Sequence, residues 1–271
     1  MLMHNYLIYA GINTLDYGIR INGKRTYGAP ERDETMVSVP GKNGDVVLDN
    51  GRWLNRVVSY DCSIARDFRH RFDSFRQAVM AAHGYQRMED TYHPDEFYLS
   101  RLSGALEPNV NLQLDAGTFT LTFDRKPQRF LHSGEIEIEG VSPLYTYNPT
   151  LYASKPIIRV LCGSTDNLKQ LAVNAPNYDT GMVVYPYPVL DDVLSADDFA
   201  AALVTGLYVD IDCDIGEAYG VYYSDGVATT INLNAAISLA PGTDFPKLIP
   251  GENKLNTTGD GLVVTPRWYT I

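Results

Sequence analysis

The sequence predicts a mainly β chain of two domains, the first holding a single amphipathic helix. Three observations carry that reading. Apolar side chains recur at every second position through most of the chain, with Gly, Asn, Asp or Pro between the runs. The period changes to a helical one in the window DFRHRFDSFRQAVMAAHG. Composition shifts near residues 133–150, where Pro143, Pro149 and Pro156 punctuate a polar stretch of the kind in which domains join. We therefore expect one domain over 1–133, a junction over 134–150 and a second domain over 151–271.

In the first domain, Gly41, Asn43 and Gly44 separate two apolar alternations in MVSVPGKNGDVVLD, which signals a β-hairpin. Residues 52–64 follow as a half-buried strand, with Leu54, Val58, Tyr60, Cys62 and Ile64 on its dry face. In the helix, Phe68, Phe72, Phe75 and Val79 share one side. Asp67 is placed to cap its start and Gly84 to end it. The other side carries Arg69, Arg71, Asp73, Arg76 and Gln77, either a solvated face or a contact surface between subunits. EFYLSRL is a further strand. Val110, Leu112 and Leu114 alternate up to Gly117, which reads as a turn or bulge before Phe119, Leu121 and Phe123 of TFTLTF.

The second domain reads as short strands, PIIRVLC, TGMVVYPYPVL, LYVDIDCDI and GVYYS, with one short helix in SADDFAAAL begun by Ser195, Asp197 and Asp198. Such spacing predicts a β-sandwich. The sequence holds no internal repeat and no low-complexity tract.

Charge narrows the function. Of 22 Lys plus Arg and 33 Asp plus Glu, residues 1–150 hold 16 and 19 and residues 151–271 hold 6 and 14, so the net charge of -11 divides as -3 and -8. That acidity argues against gripping nucleic acid by phosphate neutralisation, yet suits a surface that DNA passes without sticking. Neither a secretory leader nor an apolar run of membrane-spanning length is evident. Cys62, Cys162 and Cys213 are odd in number and far apart, which fits buried thiols in a reducing cytoplasm better than disulfides or a zinc site.

Nucleophile, zinc-protease, dinucleotide and phosphate-loop spacings are missing, so no enzyme, no cofactor and no essential metal are expected. His4, His70, His83, His93 and His132 form no ligand pair. The sharpest apparent site is Asp210, Asp212 and Asp214 with Glu217 nearby, an oxygen-rich set of the sort that attracts Ca²⁺. The residues do not fit an EF-hand loop, because Ile215 and Val221 stand where Gly and an acid are needed. The favoured reading is a strand whose aspartates form the wet face and whose Val209, Ile211, Cys213 and Ile215 form the dry one.

The order of motifs resembles the distal tail (Dit) proteins of siphophages. The run opens with Gly11-Ile12 through Asp16, Gly18 and Ile19, then an Arg-containing loop at 23–32, then Val39, Pro40, Gly41 and Gly44. Phe119, Leu121, Thr122, Phe123, Lys126, Pro127 and Arg129 follow the helix, and Asn148-Pro149-Thr150 and Ser154 to Ile158 mark the junction. Ile211, Asp212, Ala218 and Tyr219 come next. The run closes on Phe245, Pro246, Leu248, Pro250, Gly251 and Asn253, then Pro266-Arg267-Trp268. The resemblance implies an N-terminal ring-forming β domain and a C-terminal galectin-like β-sandwich, with the last residues packing back on the first domain. It further implies a homo-hexameric hub at the virion tail tip or baseplate, assembled in the host cytoplasm, through whose channel DNA passes. Implied partners are the tail tube protein, a tail-associated lysin-like hub protein, the tape measure protein and receptor-binding proteins. At 271 residues a large adhesin-holding arm is not expected. Arg25, Arg32, Arg69, Arg71 and Arg76 are the candidate ring-interface residues.

The alternative is a carbohydrate-binding β-sandwich for cell-wall adhesion, with Tyr185, Tyr187, Tyr222 and Tyr223 as stacking groups. Residues 151–271 contain no histidine, and their one tryptophan, Trp268, lies at the extreme end. We therefore expect a scaffold rather than a sugar reader.

Overall fold

The computed structural model describes residues 5–23, 26–163, 171–174, 182–224, 226–239 and 244–271. The strands of the first unit are β1 (Leu7–Tyr9), β2 (Ile12–Asn13), β3 (Ile19–Asn22), β4 (Arg32–Val37), β5 (Val46–Trp53), β6 (Arg56–Ile64), β7 (Gln86–Asp90), β8 (Glu96–Leu102), β9 (Asn109–Asn111) and β10 (Ala116–Leu131). The helix α1 (Phe68–Met80) lies between β6 and β7. The main sheet runs β2-β1-β7-β8-β10-β6-β3, with β9 also on β10, while β4 and β5 form a separate two-stranded sheet.

Alternation along β6 and β10 builds the core. Val58, Tyr60, Cys62 and Ile64 face inward from β6, and Phe119, Leu121 and Phe123 face inward from β10. Onto that surface α1 lays Phe68, Phe72, Phe75 and Val79, all buried. Phe72 meets Phe119 edge-on with ring centroids 5.0 Å apart, an arrangement favoured by the ring quadrupoles.

Several local expectations need correction. The 52–64 strand breaks at Leu54 and Asn55, where Leu54 N–H turns to donate to the Glu31 carbonyl at 2.8 Å. Asp67 makes no side-chain cap. It sits in the left-handed region (φ 55°), and the Phe68 N–H donates instead to the Asp115 carbonyl at 3.0 Å. The helix ends at Met80, four residues before Gly84. Gly117 is a regular strand residue paired with both Ile64 and Val110. Its lack of a side chain is needed because a Cβ there would meet the Phe68 ring and the Asn109 carbonyl. The reversal lies at 112–115, so Leu112 and Leu114 point outward.

The second unit spans 131–270. Its strands are β11 (Ile138–Gly140), β12 (Leu144–Asn148), β13 (Ile157–Cys162), β14 (Leu171–Asn174), β15 (Met182–Val184), β16 (Leu207–Asp212), β17 (Glu217–Ser224), β18 (Val227–Asn232), β19 (Ile237–Leu239), β20 (Gly251–Thr257), β21 (Gly261–Thr265) and β22 (Tyr269–Thr270). One sheet runs β11-β21-β13-β16-β17-β18 and the other β12-β20-β14-β15-β19. Ile158, Val160, Val209, Ile211, Leu262 and Val264 of the first join Leu144, Met182, Val184 and Leu255 of the second in one buried cluster. A sandwich core results. Residues 134–150 carry a short 3-10 turn and the strands β11 and β12, which pair with β21 and β20. The chain is mainly β, as its alternation predicts.

The second unit holds one more helix than expected among the described residues. After β15, YPYPVLDDV forms α2 (Pro186–Val193) rather than continuing the strand. Pro186 stands in the first turn, where a missing N–H costs nothing, and Leu190 is buried. Helix α3 (Ala196–Thr205) begins as expected, with Ser195 Oγ accepting from the Asp198 N–H at 3.2 Å. No described helix is long and apolar enough to cross a membrane.

Candidate assembly surfaces

Two exposed features of the first unit stand out, the β4–β5 hairpin and the outer side of α1. The hairpin turns through Pro40, Gly41 and Gly44. Both glycines take positive φ (82° and 79°), which a side chain would strain. Its stem is laced by polar pairs: Arg32 to Asp49, Arg52 Nε to Asp33 at 2.6 Å, and Asn50 to Asp33 at 2.9 Å. Arg32 also lies 4.9 Å over the Trp53 ring. Yet Met36, Val37, Val39, Val47 and Leu48 are all exposed. Among the described residues the ribbon pairs with no further strand, so both of its backbone edges are open.

The root of the hairpin is anchored. Arg56, half-buried on β6, donates to the carbonyls of Thr26 and Gly28, and burial beside Arg125 lowers its guanidinium pKa. Tyr27 packs on the His93 ring at 4.9 Å, and His93 in turn contacts the buried Asp90 carboxylate at 3.0 Å. Tyr60 donates to the same carboxylate at 2.5 Å, and burial followed by that negative neighbour raises the Tyr60 hydroxyl far above its usual range.

On α1, Arg69 is exposed, and Arg76 pairs with Asp73, to which Gln77 also donates at 3.0 Å. These groups rim an open groove of about 890 Å³ whose apolar side is Phe72, Val110 and Leu112. Arg71 does not belong to it: it pairs with Asp67 at 3.8 Å and lies against Gly18. The structure thus brings Arg69 and Arg76 together and leaves Arg32 and Arg71 on other surfaces. Arg25 lies outside the described residues. Sequence reading missed Leu112, Met36 and Val47, because an exposed apolar residue in an alternating segment looks the same as a buried one.

The other singled-out residues are built into the framework. Phe119, Leu121 and Phe123 are core. Pro127 falls beyond the 117–125 stretch of β10 that pairs with β6, where its missing N–H breaks no bond of that ladder. Arg129 grips Glu96 with two hydrogen bonds of 2.9 and 2.7 Å. In the second unit Pro246 and Leu248 are buried, Pro250 is exposed, and Phe245 is half-buried over Gly216. Gly251 turns with φ 87°, and Asn253 ties the bend by accepting from Ile249 N–H and donating to the Ile249 and Gly251 carbonyls.

Asp210 and Asp212 of β16, and Asp214 in the turn after it, are engaged by cations. Arg159 holds Asp210 through bonds of 2.7 and 2.9 Å, Arg267 holds Asp212 through bonds of 2.7 and 2.8 Å, and Lys155 lies 3.2 Å from Asp214. Burial alone would raise the Asp212 carboxyl, but Arg267 and the Asp214 N–H outweigh it and hold the pKa below the ordinary value. Val209, Ile211 and Cys213 are dry as expected. Ile215 is exposed instead, because the strand ends at Asp212 and the chain turns. Among the described residues no group of three or more His, Cys, Asp or Glu side chains is arranged to hold a metal ion. Tyr222 packs on the sandwich core, Tyr185 and Tyr223 are exposed, and Tyr187 meets Phe199 edge-on.

Comparison with known proteins places this fold. No family model and no curated protein matches the sequence. Among solved structures, the chain is similar to the SPP1 Dit (gp 19.1) protein, a hub of the adsorption apparatus in phages infecting Gram-positive bacteria. The TM-score is 0.66 at 12% identity, covering 97% of this chain and 98% of that one. It is also similar to a chain of the phage P2 baseplate in its activated, Ca-bound conformation, with TM-score 0.53, 9% identity and coverage of 97% and 98%. A chain of the same baseplate with Sr gives 0.51, 10%, and 97% of each chain. The fold is that of the siphophage Dit tail hub.

Proposed function

We propose that this protein is a structural hub of a non-contractile phage tail, and that six copies form a ring joining the tail tube to the tip or baseplate. The observation that carries the reading is the match to SPP1 Dit from end to end, over 97% of this chain and 98% of that one. A fold shared over both units supports the same kind of assembly, as does motif order along the sequence. The ring is assigned to the first unit, whose hairpin and α1 groove are two different surfaces, as a head-to-tail ring requires. The sandwich acts as a scaffold, and Arg32, Arg69 and Arg76 contribute to contacts between copies. The tail tube, tape measure and lysin-like hub proteins are its neighbours in the virion. The net charge of -11 keeps a central channel from trapping DNA. The protein works without catalysis. Negative-stain images of the purified full chain test this: six-fold rings with a central hole are expected. A chain that stays monomeric by light scattering at high concentration, with no such ring at the virion tail tip, would refute it.

A further inference from the structure

Hairpin and groove are complementary within one chain. Pairing of Met36 with Val47 and of Glu34 with Asp49 puts an apolar pair and acidic groups on one face of the ribbon. Asp49 is used by Arg32, which leaves Glu34, two residues before Met36 on β4, as the free acidic flank of that face. Residues 31–53 hold five acidic and three basic side chains, whereas residues 66–80 hold four arginines against Asp67 and Asp73. The α1 groove mirrors the ribbon, with Leu112 and Val110 on its apolar side and Arg69 on its rim. Met36 is 59% exposed, Val47 51% and Leu112 70%, so the described residues do not cover these groups.

We propose that the Met36–Val47 face of the hairpin docks into the α1–Leu112 groove of a second copy of this chain, with Glu34 set against Arg69. This rests on the ring reading and names the contact that closes it. Burying Met36, Val47 and Leu112 together removes apolar surface that neither element can hide alone. Opposite charges fix the direction of docking, and two like hairpins or two like grooves repel. Because a hairpin meets a groove rather than another hairpin, each copy keeps one of each free. The contact therefore propagates until the ring closes.

Paired cysteines in the full-length protein test the contact. Val47→Cys and Leu112→Cys sit at exposed positions, and the three native thiols are buried, so only the introduced pair reacts. Oxidation of the double variant should give a covalent ladder beyond dimer, at least ten-fold stronger than either single variant. A chain that assembles by light scattering yet gives no ladder overturns this contact and leaves the ring standing; a chain that never assembles overturns both. As a second measurement, Arg69→Glu should raise the concentration needed for assembly at least ten-fold, and adding Glu34→Lys should restore it. Failure of that rescue in a folded double variant also overturns the proposal.

Discussion

Asn253 offers a sharp test of how the second unit is held. Its side chain is 2% exposed and makes three bonds, 2.8 Å from the Ile249 N–H, 2.8 Å to the Ile249 carbonyl and 2.9 Å to the Gly251 carbonyl. Asn253→Ala removes all three, at about 1 kcal/mol each. Pro250 is exposed and Ile249 half-buried, so water recovers part of the loss, and the expected destabilisation is about 2–3 kcal/mol. Asn253→Asp should be as damaging, because it keeps the acceptor for Ile249 N–H but turns a carboxylate oxygen toward two carbonyls. The two tryptophans provide the assay. Trp53 lies in the first unit and Trp268 is buried in the core of the second. In a Trp53→Phe background, fluorescence reports the second unit alone, which matters because a two-unit chain need not unfold in one step. With a urea slope of about 2 kcal/mol/M, the midpoint should fall by about 1 M. A fall under about 0.3 M, or an equal shift seen through Trp53 in the Trp268→Phe background, would refute the argument.

Other consequences follow from the same structure. Gly134→Ala should destabilise the second unit by about 1–3 kcal/mol in the same urea assay, since a Cβ there lands on the Trp268 backbone nitrogen. The Asp212 carboxyl is held below its ordinary 3.8, so its contribution is present above that pH and lost as pH falls through the folded value. Acid unfolding followed by Trp268 fluorescence should therefore steepen below about pH 4 in the native chain, and Asp212→Asn should flatten that fall while lowering stability at pH 7. Burial pushes the Cys62 and Cys162 thiols up to about 12 and raises Cys213 as well. A thiol reagent at pH 8 should label none of the three before unfolding; rapid labelling of any one shows that core to be open.

How much was legible varied with the kind of signal. The strand over Val58 to Ile64, the helix over Phe68 to Val79 and the Ser195 cap follow from side-chain period and local hydrogen bonding, which residues near in sequence settle among themselves. YPYPVL misled because a short apolar run fits a strand or a helix, and the choice fell to Leu190, which is buried beside Gly220 in the cluster that also holds Leu233. Leu112, Leu114 and Ile215 misled for a related reason. Alternation says which residues share a side, not where the strand stops, and each lies just past a strand end.

By itself the sequence determined the mainly β class, the position of the first helix, the hairpin turn at Gly41 and Gly44, and the acidity, because these rest on period, backbone permissiveness and charge count. Only the tertiary structure decided which apolar faces stay uncovered and which aspartate each arginine takes. Those depend on strands far apart in the chain, such as Arg159 on β13 meeting Asp210 on β16. Whether Met36 or Leu112 is buried is a property of what lies opposite it in space. Among the described residues, nothing does.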